Sequence, residues 1–190
     1  MGETSKRFDE RMKDGFFTKY IQNSGIDIGC GEEPVSFEVQ KWDIIYGNSD
    51  ATFMGGVPDC HFDFAYSYHL LEHLDDPVTA LRNWYRIIKH GGWLIVGVPH
   101  RDLYEKKTIL PSRYNADHKS FYLPAYSEPP HTRSLVHTFQ DALGNYRLIS
   151  LQVYDAGNTN FHAPLEHALG EYTIEIIIQK PHLTKPAMQV

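Results

Sequence analysis

Apolar and polar residues alternate along the chain in two rhythms, one helical and one strand-like. Phe8, Met12, Phe16 and Tyr20 recur every four residues among charged neighbours, which predicts an amphipathic helix over residues 5–21, interrupted near Gly15 and lying over the first strand. Ile26 to Ile28 reads as that strand, Val39 to Tyr46 as a second that ends around Asp43 to Ile45, and Phe62 to Tyr68 as a buried third. Between the first two, Pro34 removes a backbone donor that a long helix needs, so any helix there is very short. Asp76 and Pro77 supply the cap and first residue of a helix with Val78, Leu81, Tyr85 and Ile88 on one face, and His90-Gly91-Gly92 stops it. Trp93 to Val98 follows as a strand closed by Pro99, completing a parallel strand–helix–strand crossover.

The second half is less periodic. Residues 101–132 are rich in Tyr, Pro, His and Ser, and a connection of that length suggests a substrate-binding insert or lid. Ser134 to Leu143 reads as a helix, and Tyr146 to Tyr154 and Tyr172 to Gln179 as strands. No helix-sized segment separates those strands, so they are expected to pair antiparallel, and the tail from Pro181 to be loose.

A chain of 190 residues suits one domain, here 1–190, with residues 1–24 as a helical cap. No run approaches the roughly 18 apolar residues of a membrane span, and the polar start lacks a secretory core. Lys6 stands where a myristoylation signal after Gly2 would need Ser or Thr. With two cysteines, a cytoplasmic location is the expectation. A net charge of -6 without a basic run favours small molecules over nucleic acid as partners. Oligomeric state is not legible.

The chemistry gathers at strand ends. Gly25-Ile-Asp-Ile-Gly-Cys-Gly31 is a strand running into a glycine loop, Gly29-Cys30-Gly31, through which backbone approaches a nucleotide-like ligand. Asp43 follows at the second strand end, where a carboxylate accepts from ribose hydroxyls, and Asp50 beside Ala51 is placed to meet an adenine. Pro34 occupies the third glycine's place of a dinucleotide fingerprint, and the Lys-Ser/Thr ending of a P-loop is missing.

With Phe62-Asp-Phe-Ala-Tyr-Ser-Tyr-His-Leu-Leu-Glu-His-Leu-Asp-Asp-Pro77 and Leu81 to Pro99, this loop makes residues 25–100 resemble the class I S-adenosylmethionine-dependent methyltransferases, in particular the group with small-molecule, lipid and sugar substrates. The resemblance implies an α/β fold with a Rossmann-like, seven-stranded, mostly parallel sheet and an antiparallel C-terminal strand, here with a shortened helix after the first strand. It implies S-adenosylmethionine as cofactor and a small-molecule or sugar acceptor. Asp27, Gly29, Cys30 and Gly31 would line its methionine part, Asp43 the ribose, with Glu38 as competing carboxylate, and Asp50 with Ala51 the adenine. Ser67, Tyr68 and His69 would border the sulfonium and the acceptor.

His69 is the first choice as base or aligning group, with His118, beside Asp117, and His100 as further candidates, since imidazole titrates near working pH. His69-Leu-Leu-Glu72-His73 also matches the inverted zinc-peptidase string, with Glu166 as a nominal third ligand. A divalent metal on this cluster is possible but not favoured; the preferred reading has Glu72 and His73 fixing the loop by hydrogen bonds, and no metal ligand is assigned. Tyr104, Tyr114, Phe121, Tyr122 and Tyr126 either stack on an acceptor or pack the insert. A cofactor-binding subunit without turnover is the main alternative function, a zinc peptidase the lesser one.

Overall fold

In the computed structural model the described residues are 4–48, 50–159 and 169–183. The β-rich runs gather into one main sheet. Strands β1 (Gly25–Ile28), β2 (Gln40–Trp42), β3 (Phe62–Tyr68) and β4 (Ile88–Pro99) are mutually parallel. β8 (Thr173–Gln179) lies antiparallel between β4 and β7 (Arg147–Tyr154), the pairing expected for the last two strands. Among the described residues the sheet runs in the order β2-β1-β3-β4-β8-β7, six strands and so close to the seven expected. A small parallel pair, β5 (Phe121–Leu123) with β6 (Thr132–Ser134), lies outside it.

One face of the sheet packs on α3 (Pro77–Arg86) and α4 (Leu135–Ala142), whose Leu81, Trp84, Leu135 and Phe139 are fully buried with Ile26, Ile28 and Val96. Both helices start on side-chain caps: Asp76 accepts from the Thr79 amide (3.0 Å) and Ser134 from the His137 amide (3.1 Å). The α3 helix stops before His90-Gly91-Gly92, because Ile87 is already drawn into the sheet. Its carbonyl accepts from the amides of His61 and Phe62 (2.7 and 3.0 Å), and Ile88 pairs with Phe62. The Lys180 ammonium then donates to the Tyr85 and Ile88 carbonyls (3.0 and 2.8 Å), as a cation should at a helix C-terminus.

The opposite face carries α1 (Phe8–Lys13) and α2 (Phe16–Tyr20), separated at Gly15 as expected. They lie over β3, β4 and β8, not over β1: Phe16 and Tyr20 pack with Tyr66, Tyr68, Ile95 and Ile177. The break also divides the four-residue stripe. Phe8 and Met12 stay more than half exposed, and α1 buries Arg11 instead.

The second strand ends at Trp42, because Asp43 turns to cap the following 3-10 turn by accepting from the Ile45 amide (3.1 Å). Between β1 and β2 there is no helix at all, only turns. The expected insert is knitted to the sheet: the Arg101 amide donates to the Tyr122 carbonyl (2.9 Å), and Tyr104, Phe121 and Tyr122 are buried. Packing is thus what these aromatics do, while Tyr126 stays exposed. Glu166 and most of the tail lie outside the described residues. Among the described residues no helix is long and apolar enough to cross a membrane.

Candidate active site

The four parallel strands end at one edge, and the order reverses between β1 and β3, which opens a crevice at the carboxyl ends of the strands. A cleft of about 160 Å³ lies there, lined by Gly29, Trp42, Asp43, Ile44, Ala51 and Leu70. Gly29 shapes it. Its φ is 75°, and a Cβ there would stand 2.6 Å from Leu70 Cδ2. Backbone and leucine meet where any side chain would intrude.

Asp43 lines the cleft and is held by backbone: one carboxylate oxygen accepts from the Gly31 amide (2.9 Å), the other from Ile45, and its own amide donates to Asn48 Oδ1 (3.0 Å). Glu38, the competing carboxylate, is exposed outside the lining. Ala51 lines the cleft, while Asp50 sits exposed beside it with one oxygen accepting from Thr52 (2.6 Å). Cys30 and Gly31 are half-buried in the loop.

Asp27 is fully buried behind the loop and accepts from the Val35 amide (2.6 Å), which anchors the helix-free connection. Burial pushes its carboxyl up to about 7; Asp43 adds to the rise, while the Val35 amide and the Arg11 charge pull against it. Because the folded-state value lies above the ordinary 3.8, Asp27 favours folding at low pH and loses that contribution as pH rises through 7. Asp27→Asn keeps an acceptor for Val35 without the charge. Thermal denaturation should show the wild type losing roughly 5 °C more than Asp27→Asn between pH 5 and pH 8; parallel profiles would contradict this account.

Ser67 and Tyr68, expected at the sulfonium, are turned to other tasks. The Ser67 hydroxyl donates to the Ile28 carbonyl (2.9 Å), tying β3 to β1. The Tyr68 hydroxyl donates to Glu175 (2.9 Å) on the face covered by α1. His69 does stand at the strand end. Its backbone is left-handed (φ 53°), a conformation that costs a residue with a Cβ and sets its ring against Thr173, with Nε2 2.8 Å from the hydroxyl. His100, at the end of β4, is half-buried, and its Nδ1 accepts from the Asp102 amide (3.2 Å). Burial lowers its pKa, which favours the neutral imidazole.

The peptidase string does not assemble as a string. Leu71–His73 is a single 3-10 turn; Glu72 and His73 meet His118 of the insert, while His69 goes to Thr173. Glu72 and His118 are buried, and Glu105 Oε1 lies 2.5 Å from His118 Nδ1. The imidazoles of His73 and His118 meet edge to face at 4.8 Å, and burial lowers the His73 pKa, with the neighbouring His118 adding to the effect. Sequence reasoning missed Leu70, Thr173 and Glu105. Only Leu70, beside His69, had a local signal.

Comparison with known proteins agrees with this geometry. Residues 32–96 match the family model described as a methyltransferase domain. Nothing among curated proteins matches the chain. Among solved structures, an S-adenosylmethionine-dependent methyltransferase from Thermotoga maritima is 21% identical, with 95% of this chain and 100% of that one covered and a TM-score of 0.53. One from Methanosarcina mazei is 16% identical, covers 88% and 98%, and scores 0.58. The [4+2]-cyclase SpnF is 13% identical, covers 92% and 81%, and scores 0.57. At these identities the likeness is one of fold, and the fold serves a cyclase as well as methyltransferases.

Proposed function

We infer that this chain, a class I S-adenosylmethionine-dependent methyltransferase by its matched domain and its fold, methylates an oxygen or nitrogen of a small-molecule or sugar acceptor. The observation that carries the reading is the meeting of the Gly29, Asp43, Ala51 and Leu70 cleft with the His69 strand end at one switch point. The residues fit the cofactor there: Gly29 leaves a cradle that a Cβ would fill, and Asp43 is oriented by two amides with carboxylate lone pairs to spare for ribose hydroxyls.

When bound, S-adenosylmethionine supplies a sulfonium-activated methyl group. The protein's share is alignment and proton removal. With the cofactor bound, Asp43 would hold the ribose end, Ala51 and Ile44 would flank the adenine, and the Gly29-Cys30-Gly31 backbone would border the methionine. His69, fixed by Thr173, aligns the acceptor and takes its proton where one must leave. The acidic balance and the absence of a basic run favour a small acceptor.

Calorimetric titration with S-adenosylmethionine and with its demethylated product should show one site per chain, and no binding at millimolar ligand overturns the reading. His69→Ala should lower turnover at least tenfold more than it lowers cofactor affinity; the reverse order would exchange its role with that of the cleft. The helix-free connection between β1 and β2 favours a second reading, a cofactor-holding subunit without turnover. Binding without transfer to any member of an acceptor library supports it.

A further inference from the structure

We propose that Glu72, His73 and His118 form a binding site for a first-row divalent metal ion, with Glu105 as the outer carboxylate that orients His118. Their ligand atoms all lie within 4.8 Å of one another. The Nε2 atoms of His73 and His118 stand 3.8 and 4.0 Å from the same oxygen of Glu72. Bonds of about 2.0–2.2 Å to nitrogen and oxygen span a triangle of this size after a small contraction.

The juxtaposition is built. His118 comes from the insert, yet the next two residues return its backbone to the turn: the amides of Lys119 and Ser120 both donate to the Glu72 carbonyl (2.8 and 3.2 Å). Glu105 Oε1 lies 2.5 Å from His118 Nδ1, and the other Glu105 oxygen accepts from the Ser112 hydroxyl (2.5 Å) and the Arg113 amide (3.3 Å). A carboxylate placed on one imidazole nitrogen fixes the tautomer and turns the other nitrogen outward as a ligand, an arrangement metal-binding histidines share. Here that other nitrogen faces Glu72 and His73.

This geometry separates a ligand from a base. His118 is only 5% exposed and its Nε2 faces a carboxylate and a second imidazole, so no acceptor proton reaches it directly. Two imidazoles and one carboxylate suit Zn²⁺, Mn²⁺, Fe²⁺ or Co²⁺, whereas Mg²⁺ and Ca²⁺ prefer oxygen ligands throughout. Three protein ligands leave positions open, and the 26% exposed side chain of His73 marks the side from which an ion enters. Two buried carboxylates, Glu72 and Glu105, supply the charge that offsets its own. Glu72 and His73 therefore do more than fix the loop, because His118 and Glu105 join them and His69 does not.

The test uses the whole chain, freed of metal by chelator and titrated with Co²⁺ as a spectroscopic probe and Zn²⁺ by calorimetry, without S-adenosylmethionine. One equivalent should bind, with ligand-field absorption showing nitrogen coordination, and Mg²⁺ should not compete. His73→Ala, at the partly exposed position, should abolish stoichiometric binding while the fold, followed by circular dichroism, persists. Glu105→Gln should weaken binding roughly 10–100-fold, and His69→Ala should leave it unchanged. Substoichiometric uptake, or His73→Ala binding like the wild type, overturns the site. Neither result bears on cofactor binding, which is measured separately.

Discussion

Arg11→Ala should cost roughly 3–5 kcal/mol of folding stability, because it strands a buried carboxylate. Arg11 and Glu175 are each 2% exposed and form an ion pair between α1 and β8. The guanidinium also donates to the hydroxyls of Tyr66 (2.7 Å) and Tyr68 (2.9 Å), and Glu175 accepts in addition from Tyr68 and Tyr154 (2.9 and 3.1 Å). Tyr68 reaches Glu175 because β4 presents Gly97 beneath its ring; a Cβ there would lie 2.3 Å from the ring. In a chain of this size each kcal/mol moves Tm by about 2–4 °C, so thermal denaturation should record a fall of roughly 6–20 °C. Glu175→Gln should fall less, since it leaves an acceptor. The double variant Arg11→Met with Glu175→Gln should recover much of the loss, since no unpaired charge then remains. A loss under about 1 kcal/mol for Arg11→Ala would mean that water reaches the pair and that α1 is held by its apolar contacts alone.

That network shows where the sequence ceases to be legible. A charged residue between Phe8 and Met12 is read as solvent-facing, and its partner stands 164 positions away. The available signal was on the other side: Glu175 interrupts Thr-Ile-Glu-Ile-Ile-Ile-Gln, and a carboxylate inside an apolar strand demands a cation or a donor. Local chemistry was readable wherever it acted locally. Asp76-Pro77 and Ser134 marked helix starts because caps work within one turn, and Phe62–Tyr68 was readable because a largely buried strand is dominated by apolar and aromatic residues, here interrupted by Asp63 and Ser67 alone.

The cluster around Glu72 shows the same division. The spacing of His69, Glu72 and His73 implies a helical face, but the chain makes only one 3-10 turn there, and the left-handed backbone of His69 sends its ring to Thr173. What replaces it, His118 with Glu105, comes from a stretch without periodicity, so no spacing rule could have joined them. In the cleft at the strand ends, by contrast, Gly29, Asp43 and Ala51 are brought together as their order along the chain suggested, because a parallel sheet delivers successive strand ends to one edge. The residues beside them were less legible: Ser67 and Tyr68 end β3 just before His69, yet side-chain hydrogen bonds draw each to a different part of the sheet.

Gly29→Ala should weaken S-adenosylmethionine binding at least about a hundredfold, about 2.8 kcal/mol, while a second glycine variant weakens it less than about tenfold. At Gly29 two costs coincide. The φ of 75° lies in the left-handed region that a Cβ disfavours by roughly 1–2 kcal/mol, and the added carbon falls within 2.6–2.9 Å of Leu70 Cδ2, Cγ and Cβ. Because Leu70 Cβ is among them, a rotamer change does not clear the clash; the leucine backbone itself has to retreat. Leu70 is the neighbour of His69 and lines the cleft, so its retreat closes the cradle and shifts the strand end together. Gly31→Ala is the control. No heavy atom lies within 4 Å of its added carbon, so only backbone strain at φ 52° remains, and affinity should fall less than about tenfold. Gly29→Ala combined with Leu70→Ala removes the clash but keeps the strain, and it should regain part of the lost affinity. Calorimetry on the four proteins, each shown to be folded by a cooperative thermal transition above the titration temperature, separates the two costs. Equal losses at Gly29 and Gly31, with no recovery in the double variant, would show that the glycine–leucine contact does not shape the cofactor site.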